Sequence, residues 1–269
     1  MANRRKFISS AGALAALGTT GIAAATKRPD ELTAEEVSEA FQDGVVNNGA
    51  AGARKNWEEL GLNPVVEESQ DFEIHDNTGL HTTAGPDEGS EVSPQYKYGD
   101  PKNTDSKLIS GVSDAGDGKV WMSVAMKLTD PQRSWGNASW VKDGIGIGYI
   151  AKDWAPIGEP VVNATEPHSA RFRSEDVSQD ARAGTVNIKN PGGDDLYPDA
   201  SANITAKFEL RPDKIPTTLW GSYSHTKALS PGSNIKSVTG GAGGIELNLD
   251  LGASTAWSIA YPSDPSDFV

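Results

Sequence analysis

The chain has 269 residues, with 24 lysines and arginines against 37 aspartates and glutamates, and therefore a formal net charge of −13. Such a charge repels the phosphate backbone, which excludes nucleic acid as an expected partner. There is no cysteine, so disulfides, thiolate metal sites and a cysteine nucleophile are excluded as well.

The first 25 residues have the pattern of an export signal. Arg4 and Arg5 belong to a basic start, and residues 11–25 carry no charge and end in three alanines. A basic region followed by an apolar run and small residues predicts secretion, with cleavage after Ala25. The alternative is an uncleaved membrane anchor. It is disfavoured because a spanning helix needs about 20 apolar residues, and this run is shorter and weaker.

The segment Arg4-Arg5-Lys6-Phe7-Ile8 resembles the twin-arginine export motif. With its many acidic residues, its lack of cysteine and its abundant glycine, the chain resembles secreted proteins of halophilic archaea. That resemblance implies that the protein is exported in the folded state and functions at molar salt concentration. At that concentration the Debye length is about 3 Å, and carboxylates no longer repel one another. An ordinary acidic secreted protein is the alternative. Both place the protein outside the cell or on its surface.

Residues 26–64 are predicted to form a short helical hairpin. Thr33 and Glu36 have the spacing of a capping box at the start of the first helix, and Gly44 is its predicted stop. Residues 50–60 are the predicted second helix. We expect the hairpin to cap one end of a β domain, while a pro-segment or a partner-docking module is the alternative.

Residues 65–118 are predicted to be a polar, loop-rich connector between the helices and the main domain. They are rich in Gly, Pro, Ser, Asp and Asn, and long stretches of this kind are functional loops or linkers. The apolar residues within 107–112 predict one short strand in this segment, and residues 65–74 are a weaker strand candidate.

The chain from residue 119 to residue 269 repeatedly alternates apolar and polar residues, which predicts strands. In residues 119–128 every even position is apolar, so we expect a strand with one buried side and one solvent-facing side. Gly, Pro and Asp clusters separate about eight such segments. The predicted fold class is therefore all-β, an antiparallel β-sandwich or jelly roll with the helical hairpin at its N-terminus.

Three Asn-x-Ser/Thr sequons, at Asn137, Asn163 and Asn203, predict N-glycosylation of an exported protein. Asn203 lies on the polar side of an alternating strand whose apolar side carries Ile204 and Ala206. We therefore expect a glycan on Asn203 to point to solvent. Chance occurrence of so short a pattern is the alternative at each site.

No cofactor is predicted, and the patterns that suggest metal binding are weak. His75 and His81 match no zinc signature. Asp114 and Asp117 stand in a Gly-rich turn that resembles a calcium loop but lacks the ordered ligand positions of an EF-hand. Residues 190–199 form a similar acidic segment. A structural calcium ion at one of these loops is the alternative to ordinary solvated turns.

Trp135 and Trp140 are the predicted ligand-binding residues. They stand among Gly, Asn and Asp residues in a segment where burial is not forced, and aromatic side chains on the loops of β-sandwiches bind sugars. The predicted function is non-enzymatic binding of a cell-envelope component or an extracellular polysaccharide. A secreted hydrolase with two carboxylates in a cleft is the alternative, although the chain lacks a nucleophile-elbow motif and a zincin helix.

The segment Trp220-Gly-Ser-Tyr223-Ser-His225-Thr-Lys227 contains a Tyr-x-His pattern. It is similar, over this short stretch, to the region near the C-terminus of lactococcin 972-type bacteriocins. The resemblance implies a diffusible antimicrobial protein, halocin-like or bacteriocin-like, as a further alternative function. The residues by themselves predict a strand with Tyr223 and His225 on the same face.

Overall fold

The computed structural model describes residues 27–69, 72–74, 95–97, 101–128, 142–187, 200–228, 234–250 and 253–269. These ranges contain an N-terminal helix followed by antiparallel strands. The helix is α1 (Ala34–Glu59), and short 3-10 turns lie at Pro29–Glu31 and Ser266–Phe268. The strands are, in chain order, β1 (Pro64–Glu68), β2 (Phe72–Ile74), β3 (Gln95–Lys97), β4 (Pro101–Asp114), β5 (Lys119–Leu128), β6 (Asp143–Gly148), β7 (Trp154–Ala164), β8 (Ser169–Arg173), β9 (Ala181–Asn187), β10 (Ala200–Leu210), β11 (Leu219–Ala228), β12 (Ile235–Gly241), β13 (Gly244–Leu249) and β14 (Ala253–Ser263).

The strands form two antiparallel sheets packed face to face. The first sheet has the order β1-β4-β5-β10-β7, with β2 also paired to β4. The second sheet has the order β3-β14-β11-β6-β9-β8, and β12 and β13 form a separate hairpin. The predicted all-β sandwich with a short N-terminal helical segment is confirmed.

A hydrophobic core fills the space between the two sheets. The even positions of β5 point into it, as their alternation predicts. Each square ångström of apolar surface removed from water stabilises the fold by about 25 cal/mol, so this core is the main source of stability. Its buried members are Leu108, Val112, Val120, Met122, Val124, Met126, Leu128, Ile145, Ile147, Tyr149, Trp154, Val186, Ala200, Ala202, Ile204, Ala206, Phe208, Leu219, Tyr223 and Ile259.

The three inner odd positions of β5 are buried too, so the prediction of a solvent-facing side is wrong for them, while Lys119 and Lys127 at the ends are half-buried. Trp121 and Ala125 pack against α1. Ser123, between them, makes a hydrogen bond of 2.6 Å with Thr205 of β10. The outer face of the first sheet is covered by the helix, and hydroxyl groups satisfied by each other are compatible with burial there.

The helix α1 consists of two arms, as the predicted hairpin requires. It begins at the predicted capping box, where the Glu36 amide donates to Thr33 Oγ1 at 3.2 Å and the Thr33 amide donates to Glu36 Oε2 at 3.0 Å. The backbone leaves the helical conformation at Asn48 and Gly49. Trp57 Nε1 of the second arm then donates to a backbone carbonyl of the first arm at 2.9 Å. The arms are thus bonded to each other.

Gly44 does not end the first arm, contrary to the prediction. It lies inside α1 where the arms meet, and a Cβ at this position would lie 2.4 Å from the backbone nitrogen of Ala53. Gly52 lies opposite, where a Cβ would be 2.2 Å from the Gly44 carbonyl oxygen. Both glycines are needed because the two backbones approach so closely. The turn occurs instead at Gly49, whose φ is 59°.

Part of the predicted connector over residues 65–118 belongs to the sandwich, so that division of the chain is wrong for β1 and β4. β4 lies between β1 and β5 in the first sheet. Leu108 faces the core between the sheets, while Ile109 packs under α1. The strand predicted over residues 107–112 is confirmed as the inner part of β4.

The composition of β4 gave no indication that the strand is buried. One reason is that a small residue is needed at position 111, where α1 lies close to the strand. A Cβ on Gly111 would lie 2.6 Å from Cε2 of Phe41, whose ring belongs to α1. Neighbouring serines are also buried, and Ser110 Oγ makes a hydrogen bond of 2.7 Å with Ser263 Oγ. A strand rich in Gly and Ser therefore resembles a loop in sequence, although both of its faces are covered.

The β12-β13 hairpin covers part of the outer face of the second sheet. It lies over the alternating glycines of β6, where a Cβ on Gly148 would be 2.4 Å from the Gly244 carbonyl oxygen and one on Gly144 would be 2.7 Å from Leu247 Cδ2. A small apolar cluster joins the two layers, with Ala181, Ala183, Ile235, Val238, Ile245 and Leu247 as its buried members. The hairpin leaves the outer face of β8 uncovered.

Candidate functional site

A cleft of about 680 Å³ lies on the outer face of the second sheet, between the hairpin and β8 and β9. We call it the cationic cleft. Ile235 is the one apolar residue among those that line it in the described part of the chain. The complete lining is Lys142, Arg171, Arg173, Glu175, Asp176, Thr185, Asn187, Asn234, Ile235, Lys236 and Ser237.

The cleft has the opposite charge to the chain as a whole. Four basic and two acidic side chains line it, whereas the chain has a net charge of −13. Two of the basic groups have acidic partners: Arg173 Nη2 lies 3.7 Å from Asp176 Oδ2, and Lys236 Nζ lies 3.3 Å from Asp250 Oδ1. The remaining basic groups are Lys142 and Arg171, and Glu175 offsets one of their two charges.

Lys142 and Arg171 form no ion pair with any carboxylate among the described residues. They lie close enough for their charges to interact. Partial burial lowers the pKa of the Lys142 ammonium below its usual value, and the positive charge of Arg171 lowers it further. Two cations that repel each other at a cleft wall are stabilised by a bound anion.

Thr185 lies beside Arg171 on the neighbouring strand. The two residues are register partners of the β8-β9 pair, and cross-strand partners have Cβ atoms about 4.5–5.5 Å apart. Thr185 is 4% exposed, and its hydroxyl has no hydrogen-bond partner among the described residues. Buried hydroxyls usually have a partner. Other buried hydroxyls of the described chain, such as that of Tyr149, also lack one, and Thr185 differs from Tyr149 because it lines the cleft beside a cation.

Arg173 has a different role, because it holds the hairpin on the sheet. Its Nη2 donates to the backbone carbonyl of Lys236 in β12 at 2.7 Å. The Val238 amide of the same strand donates to the Asp176 carbonyl at 2.8 Å. The segment that follows β8 therefore fixes one wall of the cleft against the other.

A buried polar cluster on the opposite side of the sheet fixes the position of Lys142. Asp143 follows it and points to the other side of the sheet, where Tyr223 donates its hydroxyl to Asp143 Oδ2 at 2.5 Å. His225 Nδ1 lies 3.0 Å from the same oxygen, and the Thr226 amide donates to Asp143 Oδ1 at 2.9 Å. A carboxylate only accepts hydrogen bonds, so His225 is the donor. β6 and β11 are thereby joined at the end of β6 next to the cleft.

Tyr223 and His225 lie on one face of β11, as the Tyr-x-His alternation predicts. Burial raises the pKa of the Tyr223 hydroxyl well above its usual value, and the charge of Asp143 and its hydrogen bond raise it further. The phenol therefore stays protonated and acts as a donor. Asp143 is the partner of both residues, and no spacing in the sequence connects it to them.

The structure contradicts the expectation for Asn203. Its side chain is fully buried, and Nδ2 donates to Ser38 Oγ at 2.9 Å beneath α1. The polar side of β10 is covered by the helix, so a glycan on Asn203 would not reach solvent in the folded protein. Asn163 of β7 is half-buried and donates to the same Ser38 Oγ at 3.2 Å. Asn137, the third predicted glycosylation site, lies outside the described residues.

Trp135 and Trp140, the predicted ligand contacts, also lie outside the described residues, as do His75, His81 and residues 190–199. Asp114 and Asp117 belong to the tight turn between β4 and β5, where Asp114 Oδ1 accepts from the Gly116 amide at 2.7 Å. Within the described ranges, no three acidic or histidine side chains are grouped so as to hold a metal ion.

The sequence analysis did not identify the cationic cleft. Arg171 and Arg173 flank Phe172, and this alternation by itself predicts only a strand. The useful signal is a strand with two arginines on one face in an acidic chain. Lys142 and Thr185 carry no such signal, because only sheet pairing brings them to the same place.

No protein-family model matches the sequence, and none of the curated proteins matches it. Among solved structures, the chain is similar to one described as "pH-induced modulation of Streptococcus parasanguinis adhesion by Fap1 fimbriae", with 12% identity and a TM-score of 0.31. That alignment covers 76% of this chain and 94% of the other chain. In the part of the chain that the structure describes, no helix is long and apolar enough to cross a membrane.

Proposed function

We propose that this protein is exported and acts outside the cell by binding, without catalysis, a polysaccharide of the cell envelope or the surroundings. The cationic cleft is the proposed contact surface. The observation that carries the proposal is the presence of four basic side chains in one cleft of a chain with a net charge of −13.

The character of the cleft supports a sugar polymer as the ligand. Amide, hydroxyl and charged groups line it, and such groups form hydrogen bonds with a hydroxyl-rich ligand. The two acidic residues of the cleft are Glu175 and Asp176, which are adjacent in the sequence, and Asp176 pairs with Arg173. The described cleft therefore supports binding better than acid–base hydrolysis, which needs two separated carboxylates.

Export rests on the first 25 residues, and the proposed halophilic environment rests on the acidic composition. Twin-arginine export carries a folded protein, so Asn203 would already be enclosed beneath α1 when it reached the outside. If glycans are attached after export, we propose Asn137 and Asn163 as the acceptors.

Quantitative mass spectrometry of culture medium, salt-washed envelope and cytosol from the native host tests this function. We expect the exported protein on the envelope, with Thr26 at its N-terminus. We expect the doubly substituted Lys142→Glu, Arg171→Glu variant in the medium, with unchanged circular dichroism. A Trp135→Ala, Trp140→Ala variant tests separately whether the predicted aromatic contacts contribute to retention.

Release of the unsubstituted protein into the medium would contradict surface binding. Growth inhibition of neighbouring strains by the released protein would then favour the antimicrobial alternative. Release of reducing sugar from a bound polymer would favour the hydrolase alternative.

A further inference from the structure

We propose that Arg171, Thr185 and Lys142 form a subsite for one oxyanion, the carboxylate or sulfate ester of an acidic sugar in the bound polysaccharide. The proposal rests on the binding function proposed above and specifies its ligand class. Uronic acids and sulfated sugars both contain such an oxyanion, and inorganic sulfate is a comparable oxyanion without a sugar.

The three groups have complementary properties. Arg171 supplies a planar guanidinium, which binds a carboxylate or sulfate through two parallel hydrogen bonds. Thr185 supplies a hydroxyl at the base of the cleft, next to Arg171 in the β8-β9 register. Lys142 supplies a second positive charge from the residue that precedes β6.

Thr185 distinguishes this arrangement from a solvated group of surface cations. The residue is 4% exposed, and its hydroxyl has no hydrogen-bond partner among the described residues. A buried unsatisfied donor lowers stability, and an oxyanion would accept its hydrogen. The hydroxyl is thus in a position to bind one oxygen of the anion while Arg171 binds the others.

The other two cations of the cleft are already occupied. Arg173 holds the hairpin through the Lys236 carbonyl and pairs with Asp176. Lys236 pairs with Asp250, and its side chain is 55% exposed. Lys236 therefore offers a matched control, since its removal deletes the same charge from the same cleft without touching the subsite.

The test is isothermal titration calorimetry of the full-length protein with three polymers: oligogalacturonate, dextran sulfate and unmodified dextran. Titrations at about 1 M NaCl remove long-range attraction, because the Debye length is then about 3 Å. The variants are Arg171→Gln, Thr185→Val and the control Lys236→Gln, each compared with the unsubstituted protein. Inorganic sulfate is added as a competitor in a separate series.

We expect at least one acidic polymer to bind and unmodified dextran not to bind. Arg171→Gln and Thr185→Val should each weaken that binding about tenfold or more, because each removes a hydrogen bond to a charged group. Lys236→Gln should weaken it less than about threefold. Thr185→Val should leave the unfolding midpoint in urea unchanged or raise it, since the deleted hydroxyl has no partner. A structural role of Thr185 would lower that midpoint.

Three results would overturn the subsite. Equal losses for Arg171→Gln and Lys236→Gln would show general charge attraction. Binding of unmodified dextran as tight as that of the acidic polymers would leave the binding function standing and remove the oxyanion. Competition by inorganic sulfate at the polymer's own affinity would assign the site to a free anion rather than to a sugar. Failure of every polymer and of sulfate to bind would instead overturn the proposed function itself.

Discussion

The two outer faces of the sandwich are covered by different elements. On the first sheet, α1 places Phe41 and Trp57 against the strands, and both side chains are completely buried. On the second sheet, the β12-β13 hairpin lies on a row of glycines, and its apolar residues Ile235 and Leu247 remain 6% and 8% exposed. The helix covers its face with large side chains, whereas the hairpin covers part of its face by close backbone contact.

This difference is the basis for proposing that one face is structural and the other binds a ligand. Beneath α1, the Asn203 amide nitrogen and the Ser123 hydroxyl have partners within the protein, whereas Asn203 Oδ1 and Trp121 Nε1 have none among the described residues. Beside the hairpin, Lys142 and Arg171 have no carboxylate partner among the described residues, and the Thr185 hydroxyl has no partner among them. The open face thus combines an unpartnered hydroxyl with two cations in one cleft, and the two faces should respond differently to substitution.

The largest effect should come from Trp57→Ala on the helix-covered face. Trp57 is fully buried, stacks near Phe41 with ring centroids 4.9 Å apart and donates to the Val37 carbonyl. Its truncation should lower the free energy of unfolding by about 3–5 kcal/mol. Urea denaturation measures this. Lys55→Ala, at an exposed position of the same arm, is the control, with an expected change within about 0.5 kcal/mol. A loss for Trp57→Ala as small as the control's would show that α1 is not part of the cooperative fold.

A smaller effect should come from placing methyl groups beneath the hairpin. In Gly148→Ala the new Cβ would meet the Gly244 and Gly241 carbonyl oxygens at 2.4 and 2.6 Å. These are backbone atoms, so the cost should approach about 3 kcal/mol. In Gly144→Ala the Cβ would meet the Leu247 methyl groups at 2.7 and 2.9 Å, which are able to rotate away, so the cost should be nearer about 1 kcal/mol.

Hydrogen exchange of the β12-β13 amides, together with urea midpoints, checks this pair of variants. We expect faster exchange in the hairpin for Gly148→Ala and little change in α1. Equal costs for the two variants would mean that the hairpin is not held at a fixed backbone distance from β6.

A stability effect smaller than that of Gly148→Ala should come from Tyr223→Phe behind the cleft. It removes the hydroxyl that donates to Asp143, which should cost about 1–2 kcal/mol at neutral pH. The pKa of Tyr223 is raised in the folded state, so its contribution is complete below the unfolded value of about 10. The contribution of Tyr223 to the free energy of unfolding is lost as the pH rises further. The reason is that the Tyr223 hydroxyl ionises in the unfolded protein while it stays protonated in the folded protein.

Urea denaturation of Tyr223→Phe and the unsubstituted protein at pH 7 and above pH 10 measures this effect. The difference between the two proteins should narrow at the higher pH. Tyr149→Phe is the matched control, since the buried Tyr149 hydroxyl makes no hydrogen bond with the described residues and its removal should cost less. A constant difference across this pH range would contradict a raised pKa of the buried Tyr223 hydroxyl.

Local patterns were sufficient to predict the elements themselves. Alternation in β5 and β10, the capping box at Thr33 and the two helical arms were all recognisable, because strand and helix periods depend only on neighbouring residues. The same patterns were insufficient where an element is covered on both sides. Asn203 appeared solvent-facing, and β4 outside residues 107–112 appeared to be a loop, since a second covering layer leaves no periodic signal of its own.

The sequence by itself determined an acidic, cysteine-free β-sandwich with a helical hairpin in front of it. The tertiary structure decided which polar groups are enclosed and which are exposed to a ligand. Arg171 and Thr185 are 14 positions apart in the chain and become neighbours through β8-β9 pairing. Lys142 joins them from β6, which pairs with the other edge of β9. Such a site depends on contacts between distant segments, and local propensity does not encode them.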